Sequence, residues 1–170
     1  MNGNGFWEET MKLSTKGRYG LRAIIDLAMH SEEESETASI QSIAARQGIS
    51  ETYLEQLMRL LKQHQLITSV RGAGGGYRLA KDAAQISVGD VLRALEGDLN
   101  PVDCSAIRES GGCEGADSCV TKYVWKKMND AIQNAVDSIM LDELVNESRK
   151  LGEENVNKSE MACANKTAKR

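Results

Sequence analysis

Residues 39–63, SIQSIAARQGISETYLEQLMRLLKQ, decide the fold. Ser39 and Ser50 each stand where a hydroxyl oxygen can accept from the free N–H groups of a helix's first turn, and Gly48 suits the left-handed residue that ends a helix. The stretch therefore reads as two helices joined by a tight turn. The first runs through Ile43, Ala44 and Ala45; the second has Leu54, Leu57, Met58 and Leu61 as its inner face and Thr52, Tyr53, Gln56, Arg59 and Lys62 as its outer face. This is a helix-turn-helix pattern, in which one helix crosses a nucleic-acid backbone and the next enters the major groove.

Immediately downstream, residues 67–80 read ITSVRGAGGGYRLA, two short β-prone runs around a glycine-rich turn with Arg71 at its start. Such a projection is a wing. Glycine allows positive φ and close backbone approach, and an arginine on a thin tip can enter a narrow minor groove, where negative potential concentrates. A phosphate-cradling loop is the competing reading of the glycine run, but neither a Lys-Ser/Thr pair nor a helix start follows it.

Upstream, Leu21, Ile24, Ile25 and Ala28 recur at helical steps and predict an amphipathic helix from Lys16 to about His30, ended by the acidic loop SEEESE at 31–36. Downstream, Ser87 caps a helix over Val88–Leu95, after which Gly97 and Pro101 break the chain. The stripe Val120, Val124, Met128, Ile132, Val136 and Ile139 predicts a helix of about twenty residues. A core this small cannot cover such a helix alone, so dimerisation through it is the economical expectation. A closing amphipathic segment uses Leu141, Leu144 and Val145.

The fold class expected is thus mostly α: a winged helix-turn-helix with a two-stranded wing and a long C-terminal dimerisation helix. Residues 1–10 read as a disordered extension, with Met11 as an alternative start, 11–96 as the winged-helix DNA-binding domain, and 97–119 as a cysteine-bearing loop. Residues 120–151 read as the dimerisation and closing helices, and 152–170 as a disordered polar tail.

Composition agrees with one compact domain: 170 residues, 41% hydrophobic and 27% charged. No run of eighteen apolar residues occurs, and the opening MNGNGFWEET lacks the basic and apolar regions of a signal peptide, so a cytoplasmic chain with no membrane partner is expected. The net charge of -4 argues against a nucleic-acid partner until it is divided along the chain. From Met11 to Lys81 there are ten basic and seven acidic residues, a local charge of +3. On charge alone, a basic surface with no partner is the competing reading.

Four cysteines in a reducing compartment point to metal binding, catalysis or redox sensing rather than to disulfides. Cys104, Cys113 and Cys119 follow a C-x8-C-x5-C spacing in a glycine-bearing loop. Three soft thiolates can converge on iron-sulfur or zinc, although the close cysteine pair usual in zinc sites is missing. Cys163 has no neighbouring ligand type and reads as an incidental thiol. The two histidines, His30 and His64, fall at helix ends in the other half of the chain. With no histidine beside the cysteines to act as base, neither an enzyme nor a small-molecule substrate is expected.

The stretches MKLSTKGRYGLRAIIDLA, IAARQGISETYLEQL and SVRGAGGGYRLAKDAAQISVGDVLRALEG, with the cysteine loop, resemble the IscR-type regulators of the Rrf-two family, over Met11 to about Lys150. The resemblance implies a homodimeric winged-helix repressor or activator that binds a double-stranded DNA operator. Carried onto this chain, Ser50, Thr52, Tyr53, Gln56 and Arg71 become candidates for base contact. Glu55 becomes a specificity element that repels a wrong base edge or accepts from a cytosine amine. Ser14, Thr15, Lys16, Arg59 and Lys62 become phosphate contacts, which position without specifying.

The resemblance also implies an iron-sulfur cluster, of the 2Fe-2S type, on Cys104, Cys113 and Cys119, with a histidine three residues after the last. Here that position is Lys122, and the insertion AIRES at 106–110 lengthens the first cysteine interval. A protonated lysine is no ligand, so the fourth position is open to Asp103, Glu109, Glu114, Asp117 or a residue of the partner subunit. Cluster-free relatives that regulate cysteine metabolism leave thiol-disulfide sensing, or no cofactor at all, as the alternative.

Overall fold

A serine opens each of the first four helices. The structure is a computed structural model that describes residues 13–30, 37–72, 74–104, 107 and 113–153. Helix α1 (Thr15–Met29) is capped by Ser14, α2 (Ile40–Gln47) by Ser39, α3 (Glu51–Gln63) by Ser50 and α4 (Val88–Glu96) by Ser87. In each case the hydroxyl oxygen accepts from a first-turn amide, which satisfies one of the donors a helix leaves unpaired. At α4 the arrangement is reciprocal, with Asp90 Oδ2 accepting from Ser87 N at 3.1 Å. The readings for 1–10, for the acidic loop, for Glu109 and for the tail beyond 153 with Cys163 lie outside the described residues.

Between α2 and α3 the chain turns at Gly48, whose φ of 66 is the left-handed conformation expected there. His30 and His64 are the C-cap residues of α1 and α3, as their sequence positions suggest. Strands β1 (Ile67–Val70) and β2 (Gly76–Leu79) form the antiparallel wing, in the register Ile67↔Leu79 to Val70↔Gly76. A single further bridge adds Ala38 to its edge: Ala38 and Tyr77 exchange both backbone hydrogen bonds at 2.9 Å. One paired residue has no periodicity, so nothing in the sequence announces it.

The core gathers Ile24 and Leu27 of α1, Ile43 of α2, Leu54, Leu57, Met58 and Leu61 of α3, Ile67 of the wing, and Val91 and Leu95 of α4. Burying each such side chain contributes roughly 1.5–3 kcal/mol. Leu141 and Val145 of the closing helical segment, 141–153, join the same core. The chain returns there through two backbone bonds, Val88 N to Ile139 O and Leu141 N to Ile86 O, both 2.9 Å.

Helix α5 (Thr121–Asp137) behaves as its length suggests and has no buried residue in the single chain. The first half of its apolar stripe stands in solvent, with Val124 47% and Met128 37% exposed beside Tyr123 at 63%, while Ile132 and Val136 are half-buried. Ile139, read as the end of this helix, lies beyond it and supplies the carbonyl that ties the chain back to α4.

Candidate nucleic-acid interface and cysteine loop

Thr52, Glu55, Gln56, Arg59 and Lys62 face solvent along α3, because the leucines and Met58 spaced between them take the opposite face into the core. Ser50 is also exposed; its oxygen accepts from Tyr53 N at 3.3 Å, which leaves the hydroxyl proton able to donate elsewhere.

The outer-face expectation needs correcting at Tyr53. Its ring packs edge-on against Tyr19 of α1, with centroids 6.2 Å apart and planes at 85°, and its hydroxyl is buried with no hydrogen-bond partner among the described residues. Burial raises the Tyr53 phenol above its usual pKa, and the nearby Tyr19 and Glu96 add to the shift. Position 53 borders the apolar stripe, where a large ring gains more from a neighbouring helix than from water.

At the other end of α3, Lys62 Nζ donates to Ser69 Oγ on β1. Arg71 follows β1 and is exposed, and Gly72 opens the turn with φ +124. Helix α3 is thus held to α1 near its first turn and to the wing near its last. The three parts of the expected contact surface are strung along one helix.

Thr15 and Lys16, at the start of α1, are exposed. Ser14 is engaged differently: its hydroxyl donates to Glu96 Oε1 at 2.6 Å while accepting from Lys16 N at 3.0 Å, which leaves it no proton for a phosphate. Two residues the sequence reading passed over belong to the same region. Arg18 and Arg22 lie over the Tyr19 ring at 6.0 and 5.4 Å, and both are exposed. Their spacing of four around an aromatic residue was the available signal.

In the cysteine loop Cys104 and Cys119 are half-buried and Cys113 is exposed; all three are free thiols. Cys119 Sγ lies 3.2 Å from Thr121 Oγ1. The Thr121 hydroxyl, and after it the Lys122 amide, hold the Cys119 thiol below its ordinary pKa. Lys122 Nζ donates to the Ala116 carbonyl at 3.2 Å and braces the loop against the first turn of α5. Where the resemblance places a histidine ligand, this chain has a structural brace. Among the described residues no three His, Cys, Asp or Glu side chains stand close enough to hold a metal. The donor set suits iron in chemical kind, but the loop as described does not gather it.

Behind the loop, α5 is anchored to α4. Arg93 donates to Asp137 at 2.6 Å, to Gln133 at 2.7 Å and to Asp90 at 3.3 Å. A groove of about 510 Å³ between α1, α2 and the closing segment is lined by Ile25, Met29, Leu144 and Leu151 among others, and involves neither the α3 face nor the cysteines.

Comparison with known proteins fits this geometry. The family described as "Rrf2: Iron-dependent Transcriptional regulator" matches residues 13–147. The HTH-type transcriptional regulator IscR of Cronobacter sakazakii is 44% identical over 136 residues, covering 80% of this chain and 81% of that protein. The protein of the same name from Escherichia coli K12 is 43% identical over the same length. Among solved structures, CymR, the global cysteine regulator of B. subtilis, superposes with a TM-score of 0.65 at 38% identity, covering 81% of this chain and 98% of its own. The T. potens IscR structure gives 0.63 at 43% identity, covering 81% and 88%.

Proposed function

Because this chain belongs to the Rrf2 family of iron-dependent transcriptional regulators, we propose that it acts as a homodimer that reads operator DNA with α3 in the major groove and Arg71 in the minor groove. The observation that carries this reading is the placement of α3 between the first turns of α1 and the wing. Thr52, Glu55 and Gln56, with Ser50, present donors and acceptors to base edges, while Thr15, Lys16, Arg59 and Lys62 meet phosphates. Tyr53 acts as a packing contact that sets the angle of α3. The exposed stripe of α5 meets its copy in the dimer; an apolar face of this kind left in water would be a liability for a monomer.

The input, on this reading, is iron-sulfur status. Cys104, Cys113 and Cys119 would hold the cluster, of the 2Fe-2S type, and the cluster would supply sensitivity to oxygen and iron supply. Lys122 takes no part as a ligand, since its ammonium is bonded to the Ala116 carbonyl. A second reading has a specific observation behind it: a Cys119 thiol held below its ordinary pKa by the Thr121 hydroxyl and the Lys122 amide suits regulation by thiol oxidation without a cluster.

Anaerobic purification separates the two. A coloured protein with iron and sulfide near one cluster per chain supports cluster sensing. A colourless protein that binds duplex DNA and loses that binding on mild oxidation supports the thiol reading.

A further inference from the structure

Glu96, the last residue of α4, spends one carboxylate oxygen on the start of α1. Its Oε1 accepts from Ser14 Oγ at 2.6 Å, from Gly17 N at 2.9 Å and from Ser14 N at 3.1 Å. An anion at a helix N-terminus meets the positive end of the helix dipole, and charge-assisted bonds of this kind are stronger than neutral ones. The fit is close: a Cβ on Gly17 would clash with Glu96 Oε1 and displace it.

Three features make this contact more than a helix cap. The turn it holds carries Thr15 and Lys16, both exposed. The same turns of α1 bear Tyr19, which packs on Tyr53 in the first turn of α3. Directly after Glu96 comes Gly97, at φ +85, where the chain leaves for the cysteine-bearing residues. The carboxylate also occupies the Ser14 and Gly17 amides, which would otherwise be available to a phosphate.

We infer that Glu96 is a positioning residue for DNA docking, which fixes the first turn of α1 so that Thr15 and Lys16 reach the phosphate backbone in register with α3. The inference rests on the DNA-binding reading above. A carboxylate near a phosphate backbone costs affinity by repulsion, so a mere surface acid there would weaken binding, and its removal would strengthen it. A positioning acid predicts the reverse.

The test uses the full chain and a labelled duplex that the wild-type protein itself selects from a random library. Glu96→Ala should weaken binding about tenfold and lower the slope of log affinity against log salt by about one, the signature of a lost phosphate contact. Glu96→Gln keeps the acceptor oxygen and should restore affinity to within about twofold of wild type, which a purely electrostatic role would not produce. Gly17→Ala, which pushes Glu96 away without removing it, should reproduce the alanine variant. Thermal melts show whether each variant is folded, and Ser14→Ala, which deletes one of the three bonds to Glu96 together with the cap on Lys16 N, serves if Glu96→Ala does not fold. Wild-type affinity and slope in folded Glu96→Ala would overturn the inference, as would equal gains in both Glu96 variants. If the wild-type chain selects no duplex at all, the DNA-binding reading itself fails.

Discussion

Arg46 of α2 grips Asp26 of α1 along one edge of its guanidinium: Nε lies 3.0 Å from each carboxylate oxygen, and Nη2 lies 2.6 Å from Oδ1. Asp26 is 6% exposed and takes a further bond from Gln47 Nε2 at 2.8 Å. The bond to Asp26 is the main cause that raises the Arg46 pKa. A buried carboxylate is tolerable only with such partners, so the pair sets how α2 docks on α1 and, through the Gly48 turn, where α3 points.

Arg46→Ala leaves Asp26 buried with its charge poorly compensated. Breaking a fully buried pair costs roughly 3–5 kcal/mol, and because the Arg46 side chain is 34% exposed the expected loss is smaller, about 2 kcal/mol. Urea unfolding measures it. Unchanged stability would mean the pair does not organise the two helices.

Asp90 gives the fold a defined acid response. Burial pushes its carboxyl up, but the bonds from Ser87 and Arg93 outweigh burial and hold it below its ordinary value. A carboxyl whose folded pKa is depressed stabilises the protein above its unfolded pKa and loses that contribution as pH falls through the folded one. Wild type should therefore lose stability below about pH 4, and Asp90→Asn should show a flatter profile over that window. Parallel profiles in urea melts across pH would contradict the capping role.

Arg71→Ala should leave the melting temperature unchanged, since the side chain is exposed. Binding should weaken most at operators with a narrow A/T-rich minor groove. Competition between duplexes that differ only in that segment reads the effect; a uniform loss across sequences would make Arg71 a phosphate contact instead.

Cys113→Ala should abolish visible absorbance in anaerobically prepared protein and leave the far-ultraviolet circular dichroism intact, because Cys113 is exposed and outside the core. Retained colour would remove Cys113 from the ligand set.

Much of this architecture can be read from local signals. Ser39, Ser50, Ser87 and Gly48 are punctuation that physics makes nearly unambiguous, and the stripes of α1, α3 and α4 follow from their period. The wing follows from β-prone runs around glycines. What escaped the sequence depends on contacts between distant residues: Glu96 with Ser14, which lie 82 positions apart, and Asp26 with Arg46. Tyr53 was placed outward because a residue at the edge of a stripe can turn either way, and only the presence of Tyr19 decides it. Lys122 shows the converse, a position whose expected role came from resemblance and whose side chain does something else.

The most direct test of the account is a titration of a self-selected duplex with the purified chain across salt, with the mass of the complex measured alongside. Two chains should bind each operator, with affinity falling by roughly three to five orders of magnitude between 50 and 200 mM salt if about six to ten phosphates are contacted. A chain that stays monomeric and shows no affinity for duplex DNA at low salt would contradict it, whatever metal it carries.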